Sequence, residues 1–135
     1  MDTTRAKSVG ALQEAIDQTP AMSFAEPEET SVFGCRLHAI DEPTMFGMIE
    51  TSITDNERLI VASQNMHGVH THLTHPAFRL LHDSPETKVH IDGTPVLWLA
   101  KMKGDNIGYE HRTGCIDWVP ELFALAAQRS WRIYH

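Results

Sequence analysis

An α/β fold, with helices layered on both sides of a parallel sheet, is what this sequence predicts, and three observations carry the prediction. RLIVASQ at residues 58–64 and TKVHID at residues 87–92 are short, apolar and β-branched, as strands buried on both faces of a parallel sheet must be. Each runs at once into a turn and then a helical pattern. Strands joined through helices run parallel, with right-handed crossovers, and the outcome is a three-layer α/β/α sheet.

The elements follow in order. Residues 6–18 place Val9, Leu12 and Ile16 at helical spacing until Thr19-Pro20 ends the pattern, and EPEET at 26–30 is polar and acidic. Residues 1–30 are therefore expected to form an amphipathic helix and an acidic linker, and residues 31–135 the α/β domain. SVFGCRLHAI at 31–40 reads as a strand or hairpin. Asp41-Glu42-Pro43 supplies an N-cap with proline in the first turn of a helix reaching about residue 54. After the first strand, residues 66 to about 82 read as a helix that tolerates Pro76 only as a kink or a break into two pieces.

After the second strand, Thr94-Pro95 opens a helix through VLWLAKMK. Residues 104–114, with Gly104, Gly108 and Gly114, read as a loop. CIDWVPELFALAAQR then forms a helix expected to bury Ile116, Val119, Phe123 and Leu125 or Ala126. Residues 131–135, WRIYH, look like the opening of another buried strand.

At 135 residues one core is the default, and 41% hydrophobic with 21% charged residues is ordinary for a globular chain. A formal net charge of -7 argues against general nucleic-acid binding, which needs clustered Lys and Arg. Cys35 and Cys115 lie far apart without CxxC spacing, and the N-terminus lacks the apolar core of a signal peptide, so both thiols are expected to be reduced and the compartment cytoplasmic. No stretch approaches the roughly 18 apolar residues of a spanning helix, which leaves only peripheral membrane contact.

Ligands of open parallel sheets bind beyond the carboxyl ends of the strands. Two such ends stand out: Ser63-Gln64-Asn65-Met66-His67 and Ile91-Asp92-Gly93-Thr94-Pro95. Asp92 is followed by a glycine that allows a sharp turn and by a helix start whose free N–H groups favour an anion. Such a carboxylate can take a proton from a substrate hydroxyl, or it can simply cap the helix. Ser63, Asn65 and His67 could bond a sugar or phosphate, or satisfy local turn and cap donors. Arg112-Thr113-Gly114 precedes the last helix, where the planar guanidinium suits a diphosphate or pairs with Asp117.

His67, His70, His72 and His75 invite a metal reading. On a helix, however, they do not share a face, and no carboxylate or thiol is interleaved, so a solvated face with one site histidine is the plainer expectation.

Three runs, IVASQNMHGVHTHLTHPAFRLL, VHIDGTPVLWLAKMKG and HRTGCIDWVPELFALAAQRSWRIY, resemble in order and spacing the WecB/TagA/CpsF glycosyltransferases. Their pattern has a strand ending in Thr-x-Asn with a nearby His, a helix carrying Asp-Pro-x-Phe-Arg, a strand ending in Pro-Asp-Gly and an Arg-x-Thr-Gly motif before a helix. GCRLHAID is similar to the family's opening strand. The resemblance spans about residues 31–135 and implies a Rossmann-like sheet that is incomplete at the C-terminus. It also implies an inverting transfer of an N-acetylmannosamine-type sugar or hexose from a nucleoside-diphosphate donor to a polyprenyl-diphosphate-linked acceptor, in exopolysaccharide or teichoic acid biosynthesis.

By the same resemblance Asp92 is the general base, and Ser63, Asn65, His67, Gly93, Thr94, Arg112, Thr113 and Gly114 bind substrate, with Ser63 where Thr is usual and His90-Ile91 where an apolar residue and Pro are common. No cofactor is implied, and the lack of a DxD-like pair means that no metal is required. Family members run longer than this chain, so a peripheral membrane contact would come from a region not present here, at the inner face of the membrane, and a homo-oligomer is possible. Two other classes stay open: a non-catalytic interaction module pairing through its final strand, and a His-rich metal-binding domain.

Overall fold

A computed structural model of the chain describes residues 25–103 and 106–135. The helix expected over residues 6–18 lies outside the described residues. The elements are β1 (Glu29–Val32), β2 (Cys35–His38), α1 (Glu42–Thr54), β3 (Ile60–Gln64), α2 (Met66–Thr74), α3 (Pro76–Asp83), β4 (Thr87–Ile91), α4 (Thr94–Met102), a 3-10 turn (Tyr109–His111) and α5 (Cys115–Gln128).

β1 and β2 form an antiparallel hairpin that begins at Glu29, paired with His38, within the stretch read as linker. Its two-residue turn, Phe33-Gly34, has φ of 50° and 76°, the left-handed pair that matches strand twist. Asp41 caps α1, accepting from Thr44 N at 2.9 Å, with Pro43 in the first turn. Pro76 does break the helical run, since α2 stops at Thr74 and α3 starts afresh at the proline.

β3 and β4 pair in parallel from Ile60↔Thr87 to Gln64↔Ile91. Side chains alternate across this small sheet, so each face has its own core. Val89 and Ile91 pack with Val69 of α2 and Val96, Leu97 and Ala100 of α4. Leu59 and Val61 pack instead with Ile40, Met45 and Met48 around α1 and with Trp118 of α5. Helices on both faces of a parallel pair make the fold α/β, compatible with part of a Rossmann-like α/β/α arrangement.

Within a strand, successive residues also turn their N–H and C=O to opposite edges. Toward β3, Glu86 O accepts from Ile60 N and Asp92 N donates to Gln64 O, both at 3.0 Å. Toward the other edge, Thr87 O accepts from Arg36 Nη2 at 2.8 Å, Val89 N donates to His38 Nδ1 at 3.0 Å, and Ile91 O accepts from Thr113 N at 2.9 Å. Three groups on the outer edge of β4 are thus met by two side chains of the hairpin and one backbone amide of a loop.

Two expectations need correction. In α5 the inward residues are Trp118, Val119, Leu122 and Ala126, whereas Ile116 is 90% exposed and Phe123 51%. The helix is apolar on most sides, and Trp118 sets its rotation by packing against His90 at 5.8 Å between centroids. Residues 131–135 form no strand, and Ile133 and Tyr134 are exposed. They pair with no strand among the described residues, and an isolated extended segment has nothing to hold it.

His38 makes stability depend on pH. Burial, then Lys88 and Arg36, push its pKa from 6.5 to about 4, against the pull of Glu29. The unfolded chain therefore takes the proton first as pH falls, so this contribution is complete above about pH 6.5 and is lost toward pH 4. Urea unfolding should show a loss of up to roughly 3 kcal/mol over that range. In His38→Asn, which still offers an acceptor to Val89 N, the slope should shrink.

Candidate active site

The two strand ends lie side by side. Asn65 closes β3 by capping α2, its Oδ1 accepting from Gly68 N at 2.9 Å. Asp92 forms the last rung of the β3–β4 ladder through its own N–H. Gly93 then sits directly on Asn65: a Cβ at this position would lie 3.1 Å from Asn65 Cβ and 3.4 Å from its Cα. A side chain there would push the two turns apart.

Gly93 is also the N-cap of α4, and no side chain caps that helix. Asp92 therefore does not serve as the cap. Its carboxylate instead lines a cleft of about 300 Å³ together with Arg112, Gly114, Cys115, Ile116 and Asp117.

The opposite wall is built by the loop. A 3-10 turn, closed by Gly108 N donating to His111 Nδ1 at 3.0 Å, delivers Arg112 to a parallel bridge with Ile91. Gly114 follows as the N-cap of α5, again with no side-chain cap; Asp117 N donates to Gly114 O at 2.9 Å, and Cys115 and Ile116, the first two residues of this 14-residue helix, line the cleft. A Cβ on Gly114 would lie 3.4 Å from Asp92 Oδ1 and 3.0 Å from Asp117 Oδ2. Two carboxylates thus flank the helix start, with Arg112 Nη2 at 3.9 Å from Asp117 Oδ2. Both partners are substantially exposed, so that ion pair is weak and leaves the guanidinium available to an anion. Cys115 opens the helix beside Asp92, and burial followed by the Asp92 charge pushes its thiol up, away from a reactive thiolate.

Of the residues singled out from sequence, the fold brings Asp92, Arg112 and Gly114 into one cleft, with Gly93 and Thr94 at the adjoining helix start. Ser63 is half-buried and sits opposite His90 in the ladder. Asn65 commits its oxygen to the α2 cap. His67 is exposed on α2 and does not line the cleft. Thr113 is 5% exposed and turns its hydroxyl inward, 3.0 Å from His90 Nδ1.

Cys115, Ile116 and Asp117 as lining residues were not foreseen, although their place one turn after Arg112 was a usable signal. The four clustered histidines diverge: His67, His70 and His75 are exposed, while His72 is buried with Nε2 at 3.2 Å from Asp83 Oδ1. Among the described residues no three or more His, Cys, Asp or Glu side chains are grouped to hold a metal ion.

A parallel strand pair that ends in an unspent carboxylate, beside an arginine and a helix N-terminus, defines an α/β protein with a cleft at its strand ends. The family model described as the glycosyl transferase WecG/TagA/CpsF family matches residues 30–135. The chain belongs to that glycosyltransferase family. No curated protein and no solved structure gives a significant match. No helix of the described residues is long and apolar enough to cross a membrane.

Capping and cleft roles separate by stability. Asn65→Ala should lower the unfolding free energy by about 1 kcal/mol through the lost α2 cap. Asp92→Asn, which removes no cap, should stay within about 0.5 kcal/mol of the parent chain. Denaturant unfolding of both variants at pH 7 distinguishes the two roles.

Proposed function

We propose that the chain carries the base and the anion-facing part of an inverting glycosyltransferase. The sugar, an N-acetylmannosamine-type residue or a hexose, moves from a nucleoside-diphosphate donor to a polyprenyl-diphosphate-linked acceptor, as in exopolysaccharide or teichoic acid synthesis at the inner face of the membrane. The observation that supports this reading is the Asp92 carboxylate, free of any capping duty and placed in the cleft with Arg112 and the start of α5.

In the reaction Asp92 accepts the proton of the acceptor hydroxyl as its oxygen attacks the anomeric carbon of the donor. The bond to the diphosphate breaks on the opposite face, so configuration inverts and the nucleoside diphosphate leaves with the electron pair. Negative charge building on that diphosphate is met by Arg112 and by the uncapped N–H groups of α5 and α4. The helix N–H groups are fixed before the reaction and need no reorganisation. Thr94 and Ser63, near the two strand ends, are assigned to substrate hydroxyls, and His67 to the outer rim.

General-base catalysis contributes typically 100 to 10,000-fold. Asp92→Asn should lower turnover by that order, read as nucleoside diphosphate released from a nucleoside-diphosphate sugar in the presence of a polyprenyl-diphosphate-linked acceptor. Donor affinity by calorimetry should change little. Near-parental turnover in the variant removes Asp92 from the role, and absence of donor binding to the parent chain favours a non-catalytic interaction module.

A further inference from the structure

Beneath the cleft lies a buried contact that the chemistry above does not use. His90 is 1% exposed, two residues before Asp92, on the face of β4 opposite Val89 and Ile91. Its Nδ1 lies 3.0 Å from Thr113 Oγ1, and the same hydroxyl lies 3.4 Å from the Ile40 carbonyl. A hydroxyl has one proton. With that proton directed at Ile40 O, Thr113 accepts from His90 Nδ1–H, and a neutral imidazole completes the chain of bonds. The ring also meets Trp118 of α5 edge-on at 87°.

One side chain thereby touches the strand that ends in Asp92, the segment that carries Arg112, and the helix whose N-terminus opens on the cleft. The backbone joins this loop to the strand only locally, at the Ile91–Arg112 bridge with Thr113 N bonded to Ile91 O. The side-chain attachment through His90 adds a fixed point on the buried side of the strand.

We propose that His90 and Thr113 are a positioning pair, whose buried hydrogen bond holds Arg112 and the start of α5 at the separation from Asp92 that sugar transfer requires. The inference rests on the general-base reading of Asp92. Loss of the bond shifts the Arg112 wall while leaving the strand and its carboxylate in place. A misplacement of about 1 Å at such a site costs on the order of 100-fold in rate.

Thr113→Val keeps the shape and removes the hydroxyl, and Thr113→Ser restores it. Cys115, the first residue of α5, is a reporter that needs no substrate, because its thiol responds to burial and to Asp92. The pH dependence of its alkylation by iodoacetamide, assigned by mass spectrometry, is followed in the intact chain alongside turnover. In Thr113→Val the titration midpoint should fall toward the ordinary 9.0, and turnover should drop on the order of 100-fold; Thr113→Ser should recover both.

A folded Thr113→Val with the parental midpoint overturns the proposal, as does parental turnover in that variant. Should Thr113→Val fail to fold, His90→Asn, which keeps a nitrogen donor near the place of Nδ1, is compared with His90→Leu by the same two readouts. Should the parent chain turn over no donor, the functional reading fails, and the Cys115 midpoint still decides whether the pair positions the wall.

Discussion

The outer edge of β4 is where this fold is organised. Val89 and Ile91 are fully buried, and a buried backbone group left without a partner costs about 1–3 kcal/mol. A neighbouring strand would normally supply the partners. Here Arg36 and His38 of the hairpin reach Thr87 O and Val89 N, and Thr113 N reaches Ile91 O. Residue identity therefore governs the docking of hairpin to sheet, since a backbone ladder would accept almost any side chain at positions 36 and 38, whereas this edge requires a guanidinium and a neutral imidazole.

The same edge builds the site. The bridge of Ile91 to Arg112 ends one residue before Asp92, so the loop that completes the edge also faces the catalytic candidate with a cation. Glycine at 93 and 114 permits the close approaches on either side, one against Asn65 and the other between two carboxylates. In a chain of net charge -7 this places a guanidinium and the positive end of α5 around one small cleft. The Asp92 and Asp117 carboxylates share that cleft, so the cation and the helix end offset local negative charge as well as facing a ligand.

Much of this was legible in the sequence because it rests on local rules. The strand–turn–helix units, the Asp41 cap and the break at Pro76 follow from propensity, capping chemistry and the missing proline N–H, which act within a few residues. Asp92, Arg112 and Gly114 were legible as motif residues for the same reason. The inward face of α5 was not, because Ile116, Val119, Leu122, Phe123 and Leu125 surround the helix and only the long-range contact of Trp118 with His90 chooses among them. Nor could spacing reveal that Thr113 turns inward while its neighbours line the cleft, or that His38 stands in for a strand, because both depend on partners more than 20 residues away. The split of Asn65 and Asp92 into a cap and a cleft residue needed the Gly93 contact, which brings together two turns distant in sequence.

The most direct measurement is a crystal structure of the chain with uridine diphosphate bound. The diphosphate should lie within hydrogen-bond distance of Arg112 and the first-turn amides of α5, with the Asp92 carboxylate facing the open side of the same cleft. A diphosphate bound away from the ends of β3 and β4, or an Asp92 side chain turned out of the cleft to cap α4, would contradict the account.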